Sequence, residues 1–248
     1  MQNLNHLNIN PDEDISPFIR GKIHIIQKKD GYRFNVDSIL LVSFVNISSS
    51  KKVIDLGTGS GVIPILLNLK FKNLKLYAIE VQESMYSLAE RNFKLNNVEV
   101  DLKLVDVRDI KTVFQNQFFD CVITNPPYFI SKDYSSNQYV EKSEHLATFE
   151  DFVKSASYLL KNKGKFYYIF PVSRFVESIT ICKSYKLQPK RFRFIYPSVN
   201  ENATHVLVEC LKGGKERGEV VEKPLIMYEN PKEKKYTQEV WNLLENFI

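Results

Sequence analysis

From Lys51 onward the chain alternates short apolar runs with longer, helix-patterned segments, and this constrains its fold more than any other feature. "KKVIDL", "LKLYAIE", "VEVDLKLVD" and "FFDCVITN" read as buried strands. Between the first three, "GVIPILLNLK" and "QESMYSLAERNFKLN" carry helical spacing, with Pro64 tolerated in a first turn. A weaker helix or loop runs to about Gln117, before the fourth strand. A strand that reaches the next through a helix cannot pair with it as a hairpin. Crossover connections follow, and with them a mainly parallel sheet covered by helices on both faces.

The remaining elements extend that plan. "FEDFVKSASYLLKNKG" predicts an amphipathic helix capped by Gly164, "KFYYIFP" a strand, and "SRFVESITICKSYK" a helix. "KRFRFIYP" and "ATHVLVECLKGG" predict two antiparallel strands. In the first, Arg191 and Arg193 share one face and Phe192 and Phe194 the other, as in a core strand with a solvated face. "KKYTQEVWNLLENFI" reads as a charged terminal helix. Ahead of Lys51, residues 1–18 read as a loose arm and "KIHIIQKKDGYRF" as two short strands about an Asp30-Gly31 turn. "NVDSILLVSFVNI" follows as a helix with Asn35 or Asp37 near its start. The expected division is an N-terminal arm, hairpin and helix over 1–48, then one α/β domain over 49–248.

Composition excludes several classes. An apolar share of 44% with 25% charged residues is that of a globular chain, and 248 residues suffice for a sizeable core. No apolar run approaches the roughly 20 residues of a membrane span, and "MQNLNHLNINPDED" is no signal peptide, so a cytoplasmic location is expected. Cys121, Cys182 and Cys210 lie far apart, as do the four histidines, so neither a disulfide framework nor a metal centre is expected. The net charge of +5 is compatible with a polyanionic partner and decides nothing alone.

Two segments carry chemistry. "DLGTGSG" sets Gly57, Gly59 and Gly61 between the first strand and its helix, where backbone can approach a ligand and helix N–H groups are unpaired. Glu80 ends the next strand, in place to accept hydrogen bonds from ribose hydroxyls. The G-x-G-x-G spacing differs from the G-x-G-x-x-G of dinucleotide sites, although a pyrophosphate cofactor stays open. The second segment, "TNPPYF", ends the fourth strand with residues that cannot continue a sheet ladder. It offers an amide oxygen on Asn125, a carbonyl on Pro126 and a flat ring on Tyr128. Two such acceptors, held rigid by proline, suit an exocyclic amine whose lone pair must be freed for attack.

"DLGTGSG", Glu80, "VDVRD" and "TNPPY", in this order, resemble a class I S-adenosylmethionine-dependent methyltransferase. The resemblance implies a seven-stranded Rossmann-like sheet, mainly parallel with an antiparallel C-terminal strand, and S-adenosyl-L-methionine as cofactor. It places Asp55, Gly57, Thr58, Gly59 and Gly61 against the methionine and sugar, Glu80 on the ribose, Asp106 on the adenine amino group and Val107 beside that ring. Asn125, which also meets the cofactor, Pro126 and Tyr128 become catalytic, with Tyr128 and Phe129 as stacking residues for a flat substrate. From about Gly21 to Tyr228 the chain is similar to the bacterial valine-tRNA adenine-37 N6-methyltransferases, through "YRFNVDSILL", "NPPYF", "THVLVECLKGG" and "KPLIMY". That similarity implies RNA, and tRNA in particular, as partner, methylation of adenine N6 in an anticodon loop, and Phe34 and Asp37 bordering the cofactor pocket.

Departures keep other targets open. The stretch after the "NPPYF" loop, "KSEHLATFEDF", lacks the arginine the family often shows there. Guanine-N2 methyltransferases of ribosomal RNA and glutamine-N5 methyltransferases of proteins share the "NPPY" logic. The former often carry a second methyltransferase-like domain and the latter a helical domain ahead of the glycine loop. DNA adenine methyltransferases usually add a target-recognition region, and a non-catalytic RNA-binding relative would have no reason to keep the motifs. Oligomeric state is not readable.

Overall fold

The computed structural model describes residues 9–29, 36–48, 51–126, 147–245 and 247. Its first two strands, β1 (Glu13–Phe18) and β2 (Ile23–Lys28), form an antiparallel hairpin. The helix α1 (Val36–Phe44) then leads into the alternating part: β3 (Lys52–Leu56), α2 (Val62–Lys70), β4 (Lys75–Glu80), α3 (Glu83–Leu95) and β5 (Val100–Leu104). A 3-10 turn over Val107–Thr112 precedes β6 (Phe119–Thr124), after which come α4 (Phe149–Leu159), β7 (Leu160–Pro171), α5 (Phe175–Ser184), β8 (Leu187–Tyr196) and β9 (His205–Lys212). Short strands β10 (Val220–Val221), β11 (Leu225–Ile226), β12 (Tyr228–Asn230) and β13 (Lys235–Tyr236) lead to α6 (Gln238–Glu245).

Seven strands run across the main sheet in the order β5-β4-β3-β6-β7-β9-β8, with β10 and β11 added along the outer edge of β8. From β5 to β7 every pairing is parallel, and β9 runs antiparallel between β7 and β8. The strand order reverses at β3 and β6, opening a crevice at the carboxyl ends of the parallel strands where ligands bind in such sheets.

Strict alternation divides the core. Val53, Cys121, Ile123, Tyr167 and Ile169 face α1, α2, α3 and α6, while Ile54, Val122, Phe166, Tyr168 and Phe170 face the 3-10 turn, α4 and α5. Both faces are therefore dry, as a parallel sheet under crossover helices requires. All three cysteines are buried thiols.

Three expectations change. Glu13–Phe18, read as part of a loose arm, is a strand that pairs β2 residue for residue, while the Asp30-Gly31 turn lies outside the described residues. That hairpin docks on α3. Asn92 accepts from Ile26 N at 2.7 Å and donates to Ile26 O at 3.0 Å, and Asn96 does the same for His24 at 2.9 and 2.7 Å. Two amides one helical turn apart thus substitute for a neighbouring strand along β2. Gly164 caps no helix: α4 ends at Leu159, and Leu160 already enters β7. There the register jumps from Phe119↔Leu160 to Cys121↔Lys165, with Lys163 at φ 62°. The arginine face of β8 is paired rather than solvated: Arg191 binds Glu209 at 2.7 Å and Glu222 at 2.6 Å, and Arg193 binds Glu239 at 2.6 Å. Phe192 and Phe194 pack on Phe175 from the other face, as expected of a core strand.

Candidate active site

The carboxyl ends of β3, β4, β5 and β6 bring the chemistry-bearing residues to one rim. Between β3 and α2, Gly57, Gly59 and Gly61 hold φ of 73°, 57° and 85°, a left-handed run that side-chain-bearing residues resist. Gly57 and Thr58 donate to Ile79 O at 3.1 and 2.9 Å, clamping the loop to β4. Around Gly61 the space is closed by Phe93, whose ring would lie 2.6 Å from an added Cβ. Around Gly59 the nearest atom would be 3.9 Å away, so its backbone faces open space.

Glu80 is buried at this rim and accepts from three backbone donors. Its Oε2 accepts from Gly59 N at 2.8 Å, and its Oε1 from Val81 N and Gln82 N at 2.9 Å each. A carboxylate has about four lone-pair sites, which leaves about one for a ligand hydroxyl. Asp106 is engaged in the same way. It caps the 3-10 turn through Arg108 N at 2.8 Å and takes the Arg108 guanidinium at 3.0 and 2.6 Å. Those bonds with Arg108 hold its carboxyl below the usual range despite partial burial. Val107 is buried, and its carbonyl accepts from Ser155 Oγ on α4 at 2.7 Å.

Asp55 differs. Its side chain is buried at the end of β3, and neither carboxylate oxygen has a hydrogen-bond partner among the described residues; the same holds for Thr58 Oγ1. Burial raises its pKa to about 7; Thr58 nearby favours the charged form, and the charge of Glu80 disfavours it. A buried carboxylate without a partner is costly. One beside an open glycine loop suits a cationic donor brought by a ligand.

At the end of β6, Thr124 is fully buried and its Oγ1 donates to Leu56 O at 2.8 Å, tying this strand end to β3. The bond fixes where Asn125, half-buried, and Pro126, buried, leave the sheet. Tyr128, Phe129 and Phe34 lie outside the described residues, and Asp37 stands in the first turn of α1. Neither Thr124 nor Asn92, whose Nδ2 also holds Ser60 O of the glycine loop at 2.9 Å, stood out in the sequence. An asparagine inside a helix pattern and a threonine ending a strand signal nothing until their partners are placed.

Glycine loop, acidic strand ends, reversed strand order and antiparallel penultimate strand together define a class I S-adenosyl-L-methionine-dependent methyltransferase. A family model described as "Methyltransferase small domain" matches residues 32–179, and the chain belongs to that family. It is similar to a tRNA1(Val) (adenine(37)-N6)-methyltransferase of Flavobacteriaceae bacterium (strain 3519-10), at 24% identity over 79% of this chain and 84% of that one. A release factor glutamine methyltransferase of Flavobacterium psychrophilum is 31% identical, over 58% of this chain and 55% of its own. Among solved structures, a predicted O-methyltransferase from Agrobacterium tumefaciens superposes with a TM-score of 0.69 at 24% identity, covering 85% of this chain and 96% of that one. The buried, unpartnered Asp55 and the open Gly59 fit this cofactor, which carries an ammonium group and needs close backbone approach. No described helix is long and apolar enough to cross a membrane.

Proposed function

We propose that this enzyme is a cytoplasmic methyltransferase acting on the exocyclic N6 of an adenine in tRNA, in the anticodon loop. The observation that carries the reading is the placement of Asn125 and Pro126. The buried Thr124–Leu56 bond sets them at the sheet edge that also carries the glycine loop. The valine-tRNA relatives support the choice of substrate.

When bound, S-adenosyl-L-methionine supplies an electrophilic methyl group on a sulfonium. The glycine loop leaves room for it at Gly59, with Gly57 and Gly61 shaping the turn, and Asp55 with Thr58 would take its ammonium. The remaining acceptor sites on Glu80 and Asp106 receive the ribose and the adenine amino group, with Val107 beside the ring. Phe34 and Asp37 border the pocket. The Asn125 side-chain oxygen and the Pro126 carbonyl accept the two hydrogens of the target amine, which localises its lone pair for in-line attack. Neither acceptor needs to ionise. Tyr128 and Phe129 stack the splayed base, a contact worth about 1–3 kcal/mol per base.

The test uses labelled S-adenosyl-L-methionine with separate tRNA and ribosomal RNA pools lacking the modification, then nucleoside mass spectrometry. Label in N6-methyladenosine from tRNA is expected. Label in N2-methylguanosine from ribosomal RNA would keep the amine mechanism and overturn the substrate. The release factor relative motivates a third arm with that protein, where label on glutamine would replace RNA altogether. Asn125→Ala should cut transfer at least 100-fold while cofactor affinity stays within a few-fold. Equal loss of both would count against its role.

A further inference from the structure

Beside the adenine end of the cofactor site, a groove of about 280 Å³ runs along α4. Arg108, Lys111, Lys154 and Lys212 line it, with Asp151 as the sole acid among its lining residues. Arg108 stands two residues beyond Asp106, at the catalytic rim, and Lys212 ends β9 near the opposite edge of the sheet. The groove therefore follows the length of α4, an 11-residue helix and so about 16 Å long. Asp151 is tied up in the capping box with Thr148. Lys212 donates to the carbonyls of Ser157 and Leu160 and makes no ion pair among the described residues, and its burial lowers its pKa. Lys111 and Lys154 are exposed and make no ion pair among the described residues; Lys111 lies 5.3 Å from the Tyr158 ring centroid.

A second basic cavity gives the contrast. About 440 Å³ in volume, it lies at the amino ends of β3, β6 and β7, away from the catalytic rim. Three of its four lysines meet a carboxylate, and Lys163 makes no ion pair among the described residues. Asp120 takes Lys161 at 2.9 Å and Lys51 at 3.9 Å, and Glu209 takes Lys165 at 3.2 Å. What sets the α4 groove apart is its place: it starts at the reacting end of the molecule, and Lys111 and Lys154 border it exposed and without an ion pair among the described residues.

We propose that the α4 groove is the track for the sugar–phosphate backbone of the RNA substrate, with Lys111 and Lys154 neutralising two of its phosphates. This rests on the RNA reading above.

The test measures binding of fluorescein-labelled unfractionated tRNA by anisotropy across a salt series. It compares the wild type, K111Q/K154Q and, as a control at the other cavity, K51Q/K161Q, whose lysines already meet Asp120, with cofactor affinity measured calorimetrically for each. Losing two single-strand phosphate contacts lowers the slope of log K against log salt by about 1.4 and weakens binding about 25-fold at 0.1 M salt. The control should stay within two-fold, and cofactor affinity should not change. Steep, salt-dependent binding by the wild type with the K111Q/K154Q variant unchanged, or with both variants weakened alike, would overturn the groove and leave the RNA reading standing. A wild type that takes up cofactor but binds no tRNA would overturn the RNA reading and the groove with it.

Discussion

Asn92 offers the sharpest test of how the N-terminal hairpin and the cofactor loop are held together. Its wholly buried amide makes three bonds at once, to Ile26 N at 2.7 Å, Ile26 O at 3.0 Å and Ser60 O at 2.9 Å. Asn92→Ala removes all three and leaves three backbone groups unpaired where water has little access. Each lost bond is worth about 1 kcal/mol net, and each orphaned buried group costs about 1–3 kcal/mol. Allowing for partial relaxation, the expected loss is about 3–6 kcal/mol, a large share of the 5–15 kcal/mol typical of a domain. At about 2–4 °C per kcal/mol for a chain of this size, the melting temperature should fall by roughly 6–24 °C. Asn96 is the internal control. It makes the same pair of bonds to His24 but is only half-buried, so water can replace it and Asn96→Ala should cost about 1 kcal/mol. Urea titrations followed by circular dichroism give both values. If Asn92→Ala costs no more than Asn96→Ala, the hairpin does not depend on the buried amide and the reasoning fails.

Two glycines of the loop should respond differently to alanine. Gly61→Ala combines a left-handed φ of 85° with a Cβ 2.6 Å from the Phe93 ring and 3.3 Å from the Ala89 backbone. Strain and overpacking together cost roughly 2–5 kcal/mol. Gly59→Ala meets nothing closer than 3.9 Å and should cost about 1 kcal/mol of stability while weakening cofactor binding at least tenfold. Paired melts and calorimetric titrations separate the two, and equal stability losses would refute the distinction. Asp55 makes apo stability depend on pH. Its carboxyl titrates near 7 when folded and near 3.8 when not, so the folded state holds its proton more tightly. That contribution is fully present below about pH 4, shrinks as pH rises, and is lost above about pH 7, a loss of up to about 4 kcal/mol. Asp55→Asn should flatten this dependence, stabilise the cofactor-free protein at pH 8 and weaken cofactor binding. An unchanged pH profile in melts would show that Asp55 ionises freely. Glu80→Ala should lower cofactor affinity before the rate at saturating cofactor, because it also frees the Gly59, Val81 and Gln82 N–H groups that its carboxylate gathers.

Much of this protein was decided locally. Strand–helix alternation is a periodicity of neighbouring residues, so β3 to β6 and their helices could be read directly, and the parallel sheet followed from crossover geometry. The glycine loop, Glu80, Asp106 and Asn125-Pro126 were legible for the same reason. Each marks the end of a strand, and strands of a parallel sheet end on one rim. What no local pattern carries is which distant group completes a polar residue's bonds. Asn92 and Asn96 look like ordinary helix residues until β2 lies along them. Arg108 looks like a surface cation until it closes on Asp106, and Arg191 like a solvated strand residue until Glu209 and Glu222 meet it. Gly164 looks like a helix cap until the sheet draws Leu160 into β7. Asp55 reads as a strand-end acid beside the glycine loop, and only the packed sheet removes water from both its oxygens. Backbone period and turn chemistry are written in sequence neighbours. Hydrogen-bond partners, desolvation and the charge left over to meet a ligand arise only when remote segments pack together.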